Sequence, residues 1–306
     1  MIALSKIREL SLSAAPAEGR PTYLSAASGL VCVKSFLYVV ADDELHLGVF
    51  RAGDDSFGHQ IRLFDGVLPD DKVERKKLKP DLEALTFIQA DARYPHGALL
   101  ALGSGSRLNR MRGAHVGLDA EGAVSGAPEA VDLTPLLAPL DDIFSALNIE
   151  GAVISGGELR LFQRGNKQDN ENAIVRFALS AVLAALNSGS TRPLEPSAIQ
   201  YFDLGKCDGI SFGFTDAAAL PNGDMIFTAV AEDADNTYDD GPCRAAAIGL
   251  APNDGALRWL RPLEQPYKVE GVDARMAGDA IKLLLVTDAD DPKIPASLFS
   301  ASVPLD

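Results

Sequence analysis

The chain has 306 residues, 47% of them hydrophobic, with 27 glycines, which suits a folded and turn-rich protein rather than a disordered one. Its net charge of −15 argues against a nucleic-acid or anionic-membrane binder held by phosphate contacts. No stretch approaches the ~20 apolar residues of a membrane span, and the first residues lack the apolar run of a signal peptide. With three cysteines at unpaired spacing (Cys32, Cys207 and Cys243), the expectation is a reduced, cytoplasmic protein.

In chain order, the first predicted strand is "KIRELSL" (6–12), which belongs to no repeated unit of its own. From residue 28 a repeated order begins. A marker of one polar residue, one small residue and an apolar run opens each unit: "SGLVCV" at Ser28, "EALTFI" at Glu83, "EGAVIS" at Glu150, "DAAALP" at Asp216 and "EGVDAR" at Glu270. The markers lie 54 to 67 residues apart, the scale of repeated supersecondary units such as propeller blades of ~40–50 residues or more. Tight turns such as Gly156-Gly157, Asn222-Gly223 and Ala277-Gly278 come next, since glycine and asparagine accept positive φ.

Second strands are predicted at 36–40, 98–102, 158–162, 225–230 and 281–286, and third strands at 45–50, 114–119, 173–179, 244–250 and 296–303. Fourth strands are predicted at 60–65, 129–133, 199–204 and 257–262. The fifth unit has no fourth strand of its own, and residues 6–12 can supply it, closing a ring without open edges. The fold class expected is therefore all-β: one β-propeller domain over residues 1–306, with five blades of four antiparallel strands. A six-bladed ring with one degenerate blade is the alternative. Two helical segments, 135–147 and 180–190, fall in connections, and the charged run 70–80 reads as a solvated excursion, with a second anion contact as the alternative.

First strands of a propeller line its central channel, so the markers should meet at one end of it. Glu83, Glu150, Asp216 and Glu270 are expected to converge there, with Ser28 in the fifth place. Carboxylates so close repel one another, and a hard divalent cation, Ca²⁺ above all, would compensate them. Retained protons or Arg and Lys partners would do the same, and each acid could instead be no more than a strand-end cap. Loops at 103–113, 163–172, 231–242 and 287–295 open on the same end, where Arg107, Arg110, Arg164 and Lys167 would hold an anion. His115 is the one histidine placed to reach the channel mouth. Motifs of serine hydrolases, P-loop proteins and zinc sites are all missing.

The steps "DLEAL" (81–85), "NIEGAV" (148–153) and "VEGV" (269–272) resemble the D-x-E-G-L step of bacterial phytase-like and esterase-like propellers. "SGL" at 28–30 is similar to the corresponding step of gluconolactonase-type propellers. The resemblance implies a metal-supported site at the channel mouth and nominates Glu83, Glu150 and Glu270. The function expected is a metal-dependent hydrolase of a small anionic ester, lactone or phosphoester, with Glu150 or Glu83 as general base. Two alternatives stand beside it. One is a ligand- or protein-binding propeller with a structural cation; the other is a glycosidase using channel carboxylates, for which the site loops offer only Tyr238 as an aromatic platform.

Overall fold

A computed structural model describes residues 1–17, 19–166, 170–233, 241–253 and 256–305. Strand β1 (Ser5–Glu9) precedes the first blade, which comprises β2 (Ala27–Val33), β3 (Phe36–Ala41), β4 (His46–Arg51) and β5 (His59–Arg62). Helix α1 (Lys72–Leu78) leads to the second blade, β6 (Leu82–Ile88), β7 (Ala98–Gly103), β8 (Arg112–Gly117) and β9 (Glu129–Asp132). After α2 (Thr134–Asp141) comes the third blade, β10 (Ile149–Ser155), β11 (Glu158–Gln163) and β12 (Ala173–Ala178), then α3 (Leu179–Ser188) and its outer strand β13 (Ala198–Tyr201). The fourth blade adds a two-residue strand, β14 (Lys206–Cys207), to β15 (Ile210–Ala219), β16 (Met225–Glu232), β17 (Cys243–Ala251) and β18 (Trp259–Pro262). The fifth consists of β19 (Val269–Ala277), β20 (Ala280–Thr287) and β21 (Ser297–Pro304), completed by β1.

Five antiparallel sheets in that order make a five-bladed propeller. β1 pairs with β21, Ser5 opposite Ser300 and Glu9 opposite Ser297, so the N-terminal strand closes the last blade as expected. Second strands are apolar along nearly their whole length because each blade is covered on both faces. Residues Phe36–Ala41 and Ala98–Gly103 are buried throughout, and the core fills the gaps between blades. The two expected helices are shorter than read; Leu136, Leu137 and Leu140 of α2 and Val182 of α3 pack over the second and third blades.

One irregularity recurs in every first strand. Ladder partners skip a residue at Ala27/Gly29, Leu82/Ala84, Ile149/Gly151, Phe214/Asp216 and Val269/Gly271, leaving a bulged residue in each. The glycine after the bulge has a steric cause. A Cβ on Gly29 would lie 2.8 Å from Leu85 N, one on Gly151 3.0 Å from Asp216 Cα, and one on Gly271 2.9 Å from Ser28 O. Neighbouring first strands pass at backbone contact around the axis, and a side chain there would push them apart.

Candidate functional site at the channel mouth

The bulged residues are Ser28, Glu83, Glu150, Thr215 and Glu270. Four of these line a cavity of about 200 Å³ at one end of the channel: Ser28, Glu83, Glu150 and Glu270. The fourth blade departs from the expectation. Its bulge falls at Thr215, so Asp216 stands where the other blades have Gly29, Ala84, Gly151 and Gly271. Thr215 donates from Oγ1 to Val269 O at 2.7 Å, and Asp216 is fully buried with Oδ2 accepting from Val272 N–H at 2.8 Å. Placing Asp216 with the other acids is corrected by one residue of register.

Strand alternation adds a second tier. The residue two before each bulge points to the same side, and Ala26, Asp81, Asn148, Gly213 and Lys268 all line the cavity. Asp81 takes φ +58°, a left-handed conformation that aspartate tolerates better than most residues. It accepts from Ser104 Oγ at 2.5 Å and from Arg110 Nη1 at 2.6 Å. Asn148 donates from Nδ2 to Glu150 Oε1 at 2.6 Å.

Cationic side chains compensate part of this charge. Arg164 lies 3.3 Å from Glu150 Oε1 and 2.6 Å from Glu232 Oε2. Lys268 reaches Asp290 Oδ1 at 2.5 Å and Glu270 Oε1 at 3.6 Å. Lys79 contacts Asp42 and lies 2.8 Å from Asp81 Oδ1. Where this pairing falls short, proton affinity rises. Burial, then the charges of Glu150, Asp81 and Asp42, push the Glu83 carboxyl well above its ordinary range, with Lys79 opposing. Burial also pushes up Glu270, against Lys268, and Glu150, against Arg164 and Lys268. Glu232 is partly buried, yet Arg164 and Lys268 hold it below the usual value. Glu83 itself makes no hydrogen bond or ion pair among the described residues.

The charged run 70–80 is largely exposed, as expected, but two of its cations are not solvated. It forms α1, capped by Asp71, whose side chain accepts from Glu74 N–H. Arg75 and Lys79 are buried, and Arg75 donates from Nε to Asp43 O at 2.9 Å and from Nη2 to Glu44 Oε1 at 3.3 Å. The helix is thereby fixed over one side of the mouth.

Over residues 23–303 the sequence matches the model of DUF6929, a family of unknown function. The chain belongs to this family. No curated protein matches the sequence. Similar solved structures include a putative glycoside hydrolase from Parabacteroides distasonis, 10% identical, covering 98% of this chain and 97% of that one with a TM-score of 0.49. A PQQ-bound aldose sugar dehydrogenase from Streptomyces coelicolor is 13% identical, with 98% of each chain covered and a TM-score of 0.46. Likeness at this level does not extend to activity. The acid–glycine step that resembles phytase-like propellers arises, in this DUF6929 chain, from the bulge and the close first strands.

Of the other expected site residues, Arg110 and Arg164 line the cavity, both engaged by carboxylates. Arg107 is exposed at the start of a 3₁₀ turn and lies outside the cavity lining. Lys167 and Tyr238 lie outside the described residues. His115 also lies away from the mouth, buried in β8 with its ring edge-on to Tyr94. Sequence reading passed over Asp42, Lys79, Asp81, Asn148, Glu232 and Lys268. For Asp81, Asn148 and Lys268 the signal was present as the i−2 position before each marker acid. No helix among the described residues is long and apolar enough to cross a membrane.

Proposed function

We propose that the cavity is the active site of a hydrolase that cleaves a small ester or lactone with two carboxyl groups, Glu83 as general acid and Glu150 as general base. One observation carries this reading: the Glu83 carboxyl is unpartnered, while the neighbouring Glu150 is gripped by Asn148 and Arg164. Environments that push two carboxyls apart in proton affinity divide the acid and base roles between them. Glu150 takes a proton from water as the water oxygen bonds to the carbonyl carbon. Glu83 gives its proton to the leaving oxygen as the carbon–oxygen bond breaks.

The test compares two kinds of ester. A nitrophenolate leaves without protonation, whereas an alkoxide needs an acid. Glu150→Gln is expected to lower kcat for both by ~10²–10⁴-fold, and Glu83→Gln for alkyl esters alone. Equal loss on both ester types in Glu83→Gln would remove the general acid from the scheme.

A divalent cation defines a second reading. Asp42, Asp81 and Glu83 place one oxygen each within 4.8 Å of one another, and a hard cation there would take the place of the Lys79 ammonium. Such an ion would polarise the carbonyl and activate water. Thermal melts with EDTA and with added Ca²⁺ decide this: a midpoint that rises with Ca²⁺ and falls on chelation supports the ion, and one that does neither removes it.

A further inference from the structure

Charge in the cavity is out of balance. Among the described residues, eleven carboxyl side chains line it against eight cationic ones. Six of those cations already pair with carboxylates: Arg20, Arg75, Lys79, Arg110, Arg164 and Lys268. Two buried carboxylate oxygens of the described lining have no hydrogen-bond partner, Asp43 Oδ1 and Glu270 Oε1. The Asp43 carboxylate is held through Oδ2 by Arg75 and Arg20, whereas Glu270, 4% exposed, has no described cation within hydrogen-bond reach. The nearest cation, Lys268 Nζ, stands 3.6 Å from that oxygen, too far to donate to it, because it is drawn to Asp290 at 2.5 Å. A buried carboxyl oxygen left without a partner is costly, and a guest that brings a donor and a positive charge holds Glu270 in its ionised form and gains more here than in water.

We propose that the cavity takes a small organic cation whose primary ammonium group docks on Glu270 Oε1. An ammonium group supplies three donors and a compact charge, which match one unpartnered buried acceptor set among excess carboxyls. An anionic guest would have to pull Arg164 or Lys79 out of pairs already made. A quaternary ammonium is favoured by aromatic faces, and none of the described lining residues is aromatic. At Glu270 a divalent ion would meet twice the repulsion from Lys268 that an ammonium does. The inference names the substrate class of the proposed hydrolase and rests on that reading for its place in a reaction. Binding is measured without turnover, so the two fail separately.

The experiment is calorimetric titration of the full chain near neutral pH with ethanolamine, 1,4-diaminobutane and glucosamine. Each is set beside its hydroxyl counterpart: ethylene glycol, 1,4-butanediol and glucose. At least one amine is expected to bind ~tenfold or more tightly than its counterpart, and Glu270→Gln is expected to remove that preference. The proposal is overturned if no amine is preferred over its counterpart. It is also overturned if the preference survives in a Glu270→Gln variant that melts like the wild type. Should that variant not fold, the wild-type comparison decides alone. Ca²⁺ giving a signal where no amine does is a third overturning result. Ester turnover with no amine preference sinks this inference only; amine binding without turnover of any ester sinks the hydrolase reading only.

Discussion

Asp216 Oδ2 accepts the Val272 N–H at 2.8 Å, tying the first strand of the fourth blade to that of the fifth beside the axis. The carboxyl is fully buried, and its Oδ1 finds no hydrogen-bond partner. Burial raises its proton affinity well above the ordinary value, while the backbone N–H groups of Val272, Ala217 and Leu30 oppose the rise.

From that geometry comes a pH dependence with a definite sign. A carboxyl raised in the native state binds its proton more tightly there than in the unfolded chain, whose value is near 3.8. Its contribution is therefore most favourable at low pH and is lost as pH rises from that value toward the native one. Asp216→Asn keeps a carbonyl for Val272 N–H and does not titrate. Between pH 4 and pH 8 the wild type is expected to lose stability relative to this variant in denaturant unfolding. A constant difference across that range would mean that Asp216 titrates alike in both states.

His115 titrates with the opposite sense. It is 1% exposed, with neither ring nitrogen hydrogen-bonded, and burial, then Arg93, lower it from 6.5 to about 4. The unfolded chain takes up a proton below pH 6.5 that the native ring refuses, so stability falls between about 6.5 and 4. Relative to His115→Phe, which retains the edge contact with Tyr94, the wild type is expected to lose about 3 kcal/mol across that window. Parallel stability curves for the two proteins would show instead that the ring finds a partner when charged.

Arg164 joins the third and fourth blades through Glu150 and Glu232. Replacing it with methionine keeps the aliphatic stem and leaves two buried carboxylates without their closest cation. A loss of about 3–5 kcal/mol is expected, the cost of breaking a buried pair by removing one partner. Adding Glu232→Gln to the variant should restore part of it, measured as a double-mutant cycle. Additive losses would mean that the pair contributes nothing beyond its separate parts.

These residues also show what the sequence could and could not disclose. The ring closure was legible because the fifth unit ends one strand short and residues 6–12 supply an orphan strand. Glu83, Glu150 and Glu270 were legible because a bulge before a close backbone contact recurs as an acid followed by a small residue. Asp216 misled because residue type mimicked the step while hydrogen-bond register, which sequence does not display, put the bulge at Thr215. Lys79 and Arg75 sit in a run of charges that looks solvated. Their burial depends on Asp42, Asp43, Glu44 and Asp81, which the fold brings to them from other strand ends.

Glu83 brings stability and function into conflict. In the native chain its carboxyl is held well above 4.5, by burial and then by Glu150, Asp81 and Asp42. Raised this way, it contributes fully only below the unfolded value, and ionising it as pH climbs costs the native state more than the unfolded one. Glutamine carries no such penalty, and no described partner depends on the carboxyl. Glu83→Gln is therefore expected to melt higher than the wild type near pH 8, with the gain shrinking toward pH 4.5. The same substitution removes the proton that an alkoxide leaving group requires. Stabilisation joined to loss of alkyl-ester turnover is the mark of a residue kept for chemistry rather than packing. A variant less stable than the wild type at every pH would make Glu83 a structural member of the strand end, and the general acid would have to be sought elsewhere.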